Sequence, residues 1–178
     1  MKTLVLYQSK TGNTEKYAND IAKRVGADIF PLKRFKAKKL SEYDTIVFGG
    51  WVKAGKIQGI DDFLSNWDLM KDKDVIIFSV GMSMATKETR ASMIETNVLY
   101  DYHMRYYQMR GSFDFNKLGP IEKFMMKKAV DTIAKNPEMN ADQAVLATII
   151  DTPIEFYDQE KVDRVVSVIE TLALEKKS

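Results

Sequence analysis

Short apolar runs alternate with stretches of helical periodicity through most of the chain. Thr3-Leu4-Val5-Leu6-Tyr7 is almost wholly apolar, the pattern of a strand buried on both faces. Residues 15–25 then place Tyr17, Ala18, Ile21, Ala22 and Val25 on one helical stripe, and Gly26 supplies a stop. Ala27-Asp28-Ile29-Phe30-Pro31-Leu32 predicts a second strand and Asp44-Thr45-Ile46-Val47-Phe48 a third, which ends in Gly49-Gly50. A helix is expected over 59–70, with Ile60, Phe63, Leu64 and Trp67 aligned. Val75-Ile76-Ile77-Phe78-Ser79-Val80 predicts a fourth strand, closed by Gly81. Residues 88–101 suit a helix and 106–113 a fifth strand, in which Gly111 marks a bulge or a close approach.

This alternation predicts an α/β fold, a doubly wound five-stranded parallel sheet with helices on both faces. Ligands of such sheets bind at the carboxyl ends of the strands, where the strand order reverses. Residues 114–157 interrupt the rhythm and read as an insertion within one domain spanning 1–178. The insertion predicts a basic amphipathic helix over 121–135, a stop at Asn136-Pro137, a short helix over 140–147 and an extended Thr148-Ile149-Ile150. The basic helix carries Phe124, Met125, Met126, Ala129, Val130 and Ile133 beside Lys123, Lys127 and Lys128. Covering the sheet is its expected role, ahead of resting on a membrane surface. Residues 158–175 predict a closing helix with Val162, Val165, Val166, Ile169, Leu172 and Ala173 inward.

The turn after the first strand, Ser9-Lys10-Thr11-Gly12-Asn13-Thr14, carries the first candidate chemistry. A helix amino end presents unpaired N–H groups and the positive end of a dipole, and Gly12 lets the backbone approach closely. Ser9, Thr11 and Thr14 add hydroxyls and Asn13 an amide. An ordinary cap needs one such residue, so phosphate binding is preferred to a plain capped turn. The loop after the third strand, Gly49-Gly50-Trp51-Val52-Lys53-Ala54-Gly55-Lys56, is read as pliant on its three glycines, with Trp51 as a flat face for a planar ligand or a packed core ring. Ser79, Val80, Gly81, Met82 and Ser83 would supply contacts after the fourth strand.

Two rivals fail on the residues their chemistry needs. Gly50 to Lys56 spells G-x-x-x-x-G-K, but Ile57 follows where a nucleotide-triphosphate loop needs Ser or Thr. A phospho-acceptor receiver needs acidic residues where Gln8-Ser9 and Gly49 stand.

Composition narrows the chemistry further. The 178 residues include no Cys and one His, His103, which excludes a thiol nucleophile and makes a zinc site improbable, so no metal is expected. Redox chemistry would need a bound organic cofactor. A net charge of +2 gives no case for nucleic acid. The basic run Lys33-Arg34-Phe35-Lys36-Ala37-Lys38-Lys39 reads first as a solvated connection, and second as a patch for an acidic partner or anionic membrane. No leader or spanning segment is visible, so the expected location is cytoplasmic, with peripheral contact at the inner face of the membrane as an option.

Ser9-x-Thr11-Gly12-x-Thr14 resembles the [S/T]-x-T-G-x-T signature of the flavodoxin family. The resemblance implies that Ser9, Lys10, Thr11, Gly12, Asn13 and Thr14 hold the phosphate of flavin mononucleotide (FMN). It implies that Trp51 lies against the isoalloxazine and that the loop at Gly81 meets the pyrimidine side. The Met1-Lys2-Thr3-Leu4 opening, the long segment before the last helix, and Gly111 with Phe124-Met125-Met126-Lys127 look most similar to the menaquinone-dependent protoporphyrinogen dehydrogenases. That likeness implies an FMN-dependent oxidoreductase coupled to a quinone, in which the flavin, with no obligatory side-chain acid or base, carries the chemistry. Lys53 and Lys56, expected beside the ring, would favour the reduced flavin anion and two-electron chemistry. Arg105, Arg110 and Lys87 are candidates for an anionic substrate. The alternatives are a soluble electron-transfer flavodoxin with a protein redox partner, and a flavin-free interaction module.

Overall fold

The computed structural model describes residues 1–139 and 141–176. Five parallel strands form the sheet: β1 (Thr3–Gln8), β2 (Asp28–Pro31), β3 (Thr45–Lys53), β5 (Asp74–Gly81) and β6 (Arg105–Arg110), in the order β2-β1-β3-β5-β6. The remaining strand, β4 (Lys56–Ile57), folds back antiparallel on the end of β3.

The twofold alternation of strand side chains builds two cores. Leu4, Leu6, Ile46, Phe48, Val75 and Ile77 face one side, against Ile60, Phe63 and Leu64 of α2 (Ile60–Leu64) and Met93 of α3 (Lys87–Thr96). Val5, Val47, Ile76, Phe78 and Val80 face the other. There they meet Tyr17, Ala18, Ile21 and Ala22 of α1 (Asn13–Val25) and Val162, Val165, Val166 and Ile169 of α6 (Gln159–Glu175). β1, β3 and β5 are buried on both faces, which is why their sequences are nearly unbroken apolar runs.

Several local expectations are corrected. The segment read as a pliant loop at Gly49-Gly50-Trp51 continues β3, and the chain then reverses through Ala54 (φ 48°) and Gly55 (φ 78°) into β4. Gly49 and Gly50 are there for space. A Cβ on Gly49 would lie 2.1 Å from the Phe78 ring, and one on Gly50 would lie 2.4 Å from Ile57. The helix expected over 59–70 stops at Leu64 and resumes as a 3-10 turn, Trp67–Leu69. The helix expected to 101 stops at Thr96, because Asn97 turns inward to hold the hairpin. Its side chain accepts from Ile57 N–H (2.8 Å) and donates to Gly55 O (2.9 Å) and Met93 O (2.8 Å). β6 ends at Arg110, so Gly111 lies just beyond the strand. The connection at 32–43 contains two 3-10 turns, Leu32–Arg34 and Ala37–Glu42.

In the insertion, α4 (Pro120–Ala134) is followed by α5 (Ala141–Thr148), so Thr148 is helical and Ile149-Ile150 form a turn, not an extended segment. Asn140, read as the start of that short helix, lies outside the described residues. α4 does not cover the sheet, whose faces the other helices already occupy. Ile121, Phe124 and Met125 are 76%, 70% and 62% exposed, and among the described residues of α4 only Val130 is buried. No helix among the described residues is long and apolar enough to cross a membrane.

Candidate functional site

β1 delivers the chain to the carboxyl edge of the sheet, and Ser9 to Gly12 turn it into α1. Gly12 is the residue before the helix, at φ 89°, a left-handed conformation that side-chain-bearing residues rarely adopt. Nothing lies within 4 Å of where its Cβ would be, so the backbone dihedral, not crowding, requires glycine. No side chain caps α1. Ser9 Oγ instead accepts from Gly12 N–H at 3.1 Å and rigidifies the turn.

Thr14 is fully buried, and its Oγ1 has no hydrogen-bond partner among the described residues. An orphaned buried hydroxyl is costly unless something satisfies it. With the uncapped helix end beside it, this turn has the donor set for a phosphate.

Two long-range ties hold the turn against the last strand. Asn13 Nδ2 donates to Ser112 O at 2.5 Å and to Thr11 Oγ1 at 3.3 Å. Tyr17 donates to Arg110 O at 2.6 Å and accepts from Asp158 N–H at the start of α6. Burial pushes the Tyr17 phenol up to about 12, so it remains neutral and can serve both bonds. A Cβ on Gly111 would lie 2.8 Å from Val80 and 3.5 Å from Asn13, so glycine lets β6 close on the turn.

Trp51 is half-buried near the end of β3. Lys10 from the turn places its ammonium over the indole, 5.5 Å from the ring centroid, and pairs with Glu122 of α4. The other Glu122 oxygen accepts from Gly119 N–H at 3.2 Å. The Lys10 hydrogen bond, then the Gly119 N–H, hold this carboxyl below its usual range, with Lys53 contributing at longer reach. Lys10 is thus the cation over Trp51, and Lys53 lies within electrostatic reach of Glu122. Lys56, expected there, is instead held by Asp61 at 2.8 Å.

The remaining candidates divide. Trp51, Val52, Lys53, Ala54 and Gly55 form the hairpin at this edge, and Gly81, Met82 and Ser83 form the neighbouring loop. Val52 lies against Gly81, 3.2 Å from where a Cβ would sit. Gly50, Ser79 and Val80 are buried within the sheet. Ser79 Oγ is 2.7 Å from the Tyr106 hydroxyl. Arg110 lies at the carboxyl end of β6, with Nε donating to Met82 O (3.2 Å) and the guanidinium over Phe156. Arg105 starts β6 at the opposite edge, 3.6 Å from Asp74. Lys87 begins α3. His103 is exposed. Among the described residues no cluster of His, Asp or Glu could hold a metal ion.

Glu122 and Ser112 were missed from sequence. They reach the turn across separations of 112 and 99 residues, and no local pattern marks them.

The family model for the flavodoxin domain (Flavodoxin_5) matches residues 4–140. An uncharacterized protein of Methanocaldococcus jannaschii, MJ0298, is 31% identical over 121 residues, covering 64% of this chain and 81% of that protein. Among solved structures, flavodoxin 2 of Bacillus cereus is 20% identical with a TM-score of 0.48, over 62% of this chain and 84% of that one. A flavodoxin from the domain Archaea is 18% identical with a TM-score of 0.45, over 62% and 83%.

Proposed function

The chain belongs to the flavodoxin-domain family, and from that premise we propose that it is an FMN-dependent two-electron oxidoreductase rather than a low-potential electron carrier. FMN is the cofactor the family implies, and the turn fits its phosphate on the buried, unpartnered Thr14 hydroxyl and the uncapped α1. Ser9, Thr11, Gly12, Asn13 and Thr14 would hold the phosphate, and Trp51 would lie against the ring. Bound FMN supplies hydride and electron transfer.

The observation that carries the two-electron reading is the charge around Trp51. Lys10 lies over the indole and pairs with Glu122, which Lys53 also reaches electrostatically. A net positive environment favours the anionic reduced flavin and raises its potential.

The reading extends to a quinone as acceptor, in the manner of the protoporphyrinogen dehydrogenases that the sequence resembles. It is supported by the exposed Ile121, Phe124 and Met125 of α4, with Lys123, Lys127 and Lys128 on the same helix. An apolar stripe flanked by lysines suits peripheral contact with an anionic membrane, where lipophilic acceptors dissolve. Arg110, at the carboxyl edge, retains guanidinium donors for an anionic substrate.

Stepwise anaerobic reduction of the FMN-loaded protein tests the proposal. Flavin absorption bleaching in one two-electron step, with a potential lowered in Lys10→Gln, is the expected result. A blue one-electron species accumulating midway would favour the carrier. Failure to bind FMN would leave an interaction module.

A further inference from the structure

α4 leaves its apolar stripe uncovered, yet its amino end reaches back to the turn after β1 through one carboxylate. Glu122 Oε1 accepts from the Lys10 ammonium, while Oε2 accepts from Gly119 N–H at 3.2 Å. Glu122 is the third residue of α4, after Pro120 and Ile121, which is the position from which a glutamate folds back on its own helix end. The backbone of the insertion therefore sets where this carboxylate points. The helix end is itself anchored, because Phe115 is buried just before it and the Lys123 and Lys127 ammoniums each lie 5.9 Å from the ring centroid.

Lys10 has no such support of its own. Its side chain is 44% exposed, and among the described residues its ammonium meets Glu122, the Trp51 ring and no other carboxylate. A lysine has a flexible stem and a strongly hydrated head, and a cation–π contact at a half-exposed place is a weak tie. Without Glu122 the ammonium would move out into water. With it, the charge stays 5.5 Å from the Trp51 centroid.

We propose that Glu122 is a positioning residue of the flavin site, keeping the Lys10 ammonium over Trp51, where its charge favours the reduced flavin. This rests on the flavin reading above, and it gives the insertion a part in that site. Glu122 also carries a negative charge, which by itself disfavours an anionic reduced flavin. Its direct effect and its effect through Lys10 thus have opposite signs.

The midpoint potential of bound FMN, measured by equilibration with reference dyes, tests this in the wild type, Glu122→Gln, Lys10→Gln and the double variant. Glutamine can keep the fold-back on Gly119 N–H while removing the charge that holds Lys10. Glu122→Gln should lower the potential by about 30 mV, a tenfold change in the relative affinity for reduced flavin in a two-electron couple. In the Lys10→Gln background the same substitution should raise the potential or leave it unchanged, since only the carboxylate's own charge is then lost. A potential that rises in Glu122→Gln with Lys10 present shows that the carboxylate acts by its own charge, and overturns the proposal. An unchanged potential there reduces Glu122 to a helix cap, and a fall in both backgrounds shows that Lys10 is not the route; either overturns it. Each of these failures leaves FMN bound and the flavin reading standing. If the wild type does not bind FMN, that reading fails and the proposal fails with it.

Discussion

Asn13 and Ser112 lie 99 residues apart in the chain, and the Asn13 amide donates to the Ser112 carbonyl at 2.5 Å. The first residue of α1 is thereby fastened to the loop that leaves the last strand, tying the turn after β1 to the far end of the sheet. Asn13→Ala should cost about 1 kcal/mol of stability, the net worth of a typical hydrogen bond, and weaken FMN binding several-fold. Urea denaturation and flavin titration read the two effects, and an unchanged FMN affinity would remove Asn13 from the site.

Thr14→Val separates ligand binding from folding. The buried hydroxyl has no partner among the described residues, so replacing it by a methyl of similar shape should leave the apoprotein as stable or more so. FMN affinity should fall about tenfold if the hydroxyl donates to the phosphate. A loss of apoprotein stability, with affinity intact, would assign Thr14 to the core instead.

Gly49 and Phe78 define a steric lock between neighbouring strands. A Cβ at position 49 would meet the Phe78 ring at 2.1 Å, and the ring is fully buried. Gly49→Ala should destabilise by about 1–3 kcal/mol, as overpacking does. Adding Phe78→Leu should recover part of the loss if ring contact is the cause. Additive costs in the double-mutant cycle would overturn that assignment.

Alkaline pH should unfold the protein through its buried phenols. Burial pushes Tyr106 up to about 12, as it does Tyr17, while an unfolded tyrosine loses its proton near 10. Above that point the unfolded chain binds fewer protons than the folded one, so stability falls as pH rises from about 10 to about 12. Tyr106→Phe should flatten that fall, while costing about 1–3 kcal/mol at neutral pH by leaving the Ser79 hydroxyl unpaired. Equilibrium denaturation at a series of pH values gives both terms, and an unchanged slope would exclude Tyr106 as a contributor.

What the sequence determined is local. Buried parallel strands must be apolar on both faces, so Thr3-Leu4-Val5-Leu6-Tyr7 and Val75-Ile76-Ile77-Phe78 announce themselves. A helix that covers a sheet must carry one apolar stripe, so Val162, Val165, Val166 and Ile169 identify the closing helix. The candidate phosphate turn is legible because its hydroxyls and glycine are adjacent in the chain. The tertiary structure decided what depends on atoms brought from elsewhere. Gly49 and Gly50 look like a flexible loop until Phe78 and Ile57 lie against them, when their missing side chains become the condition for an extended strand. Asn97 ends α3 because a hairpin 40 residues earlier needs its amide. Lys10 rests over Trp51 with Glu122 as its partner, and α4 leaves Ile121, Phe124 and Met125 exposed because other helices already cover the sheet. Hydrophobic periodicity encodes which face of an element is buried. It does not encode which distant residue supplies the matching hydrogen bond, charge or steric limit, and those contacts shape the site.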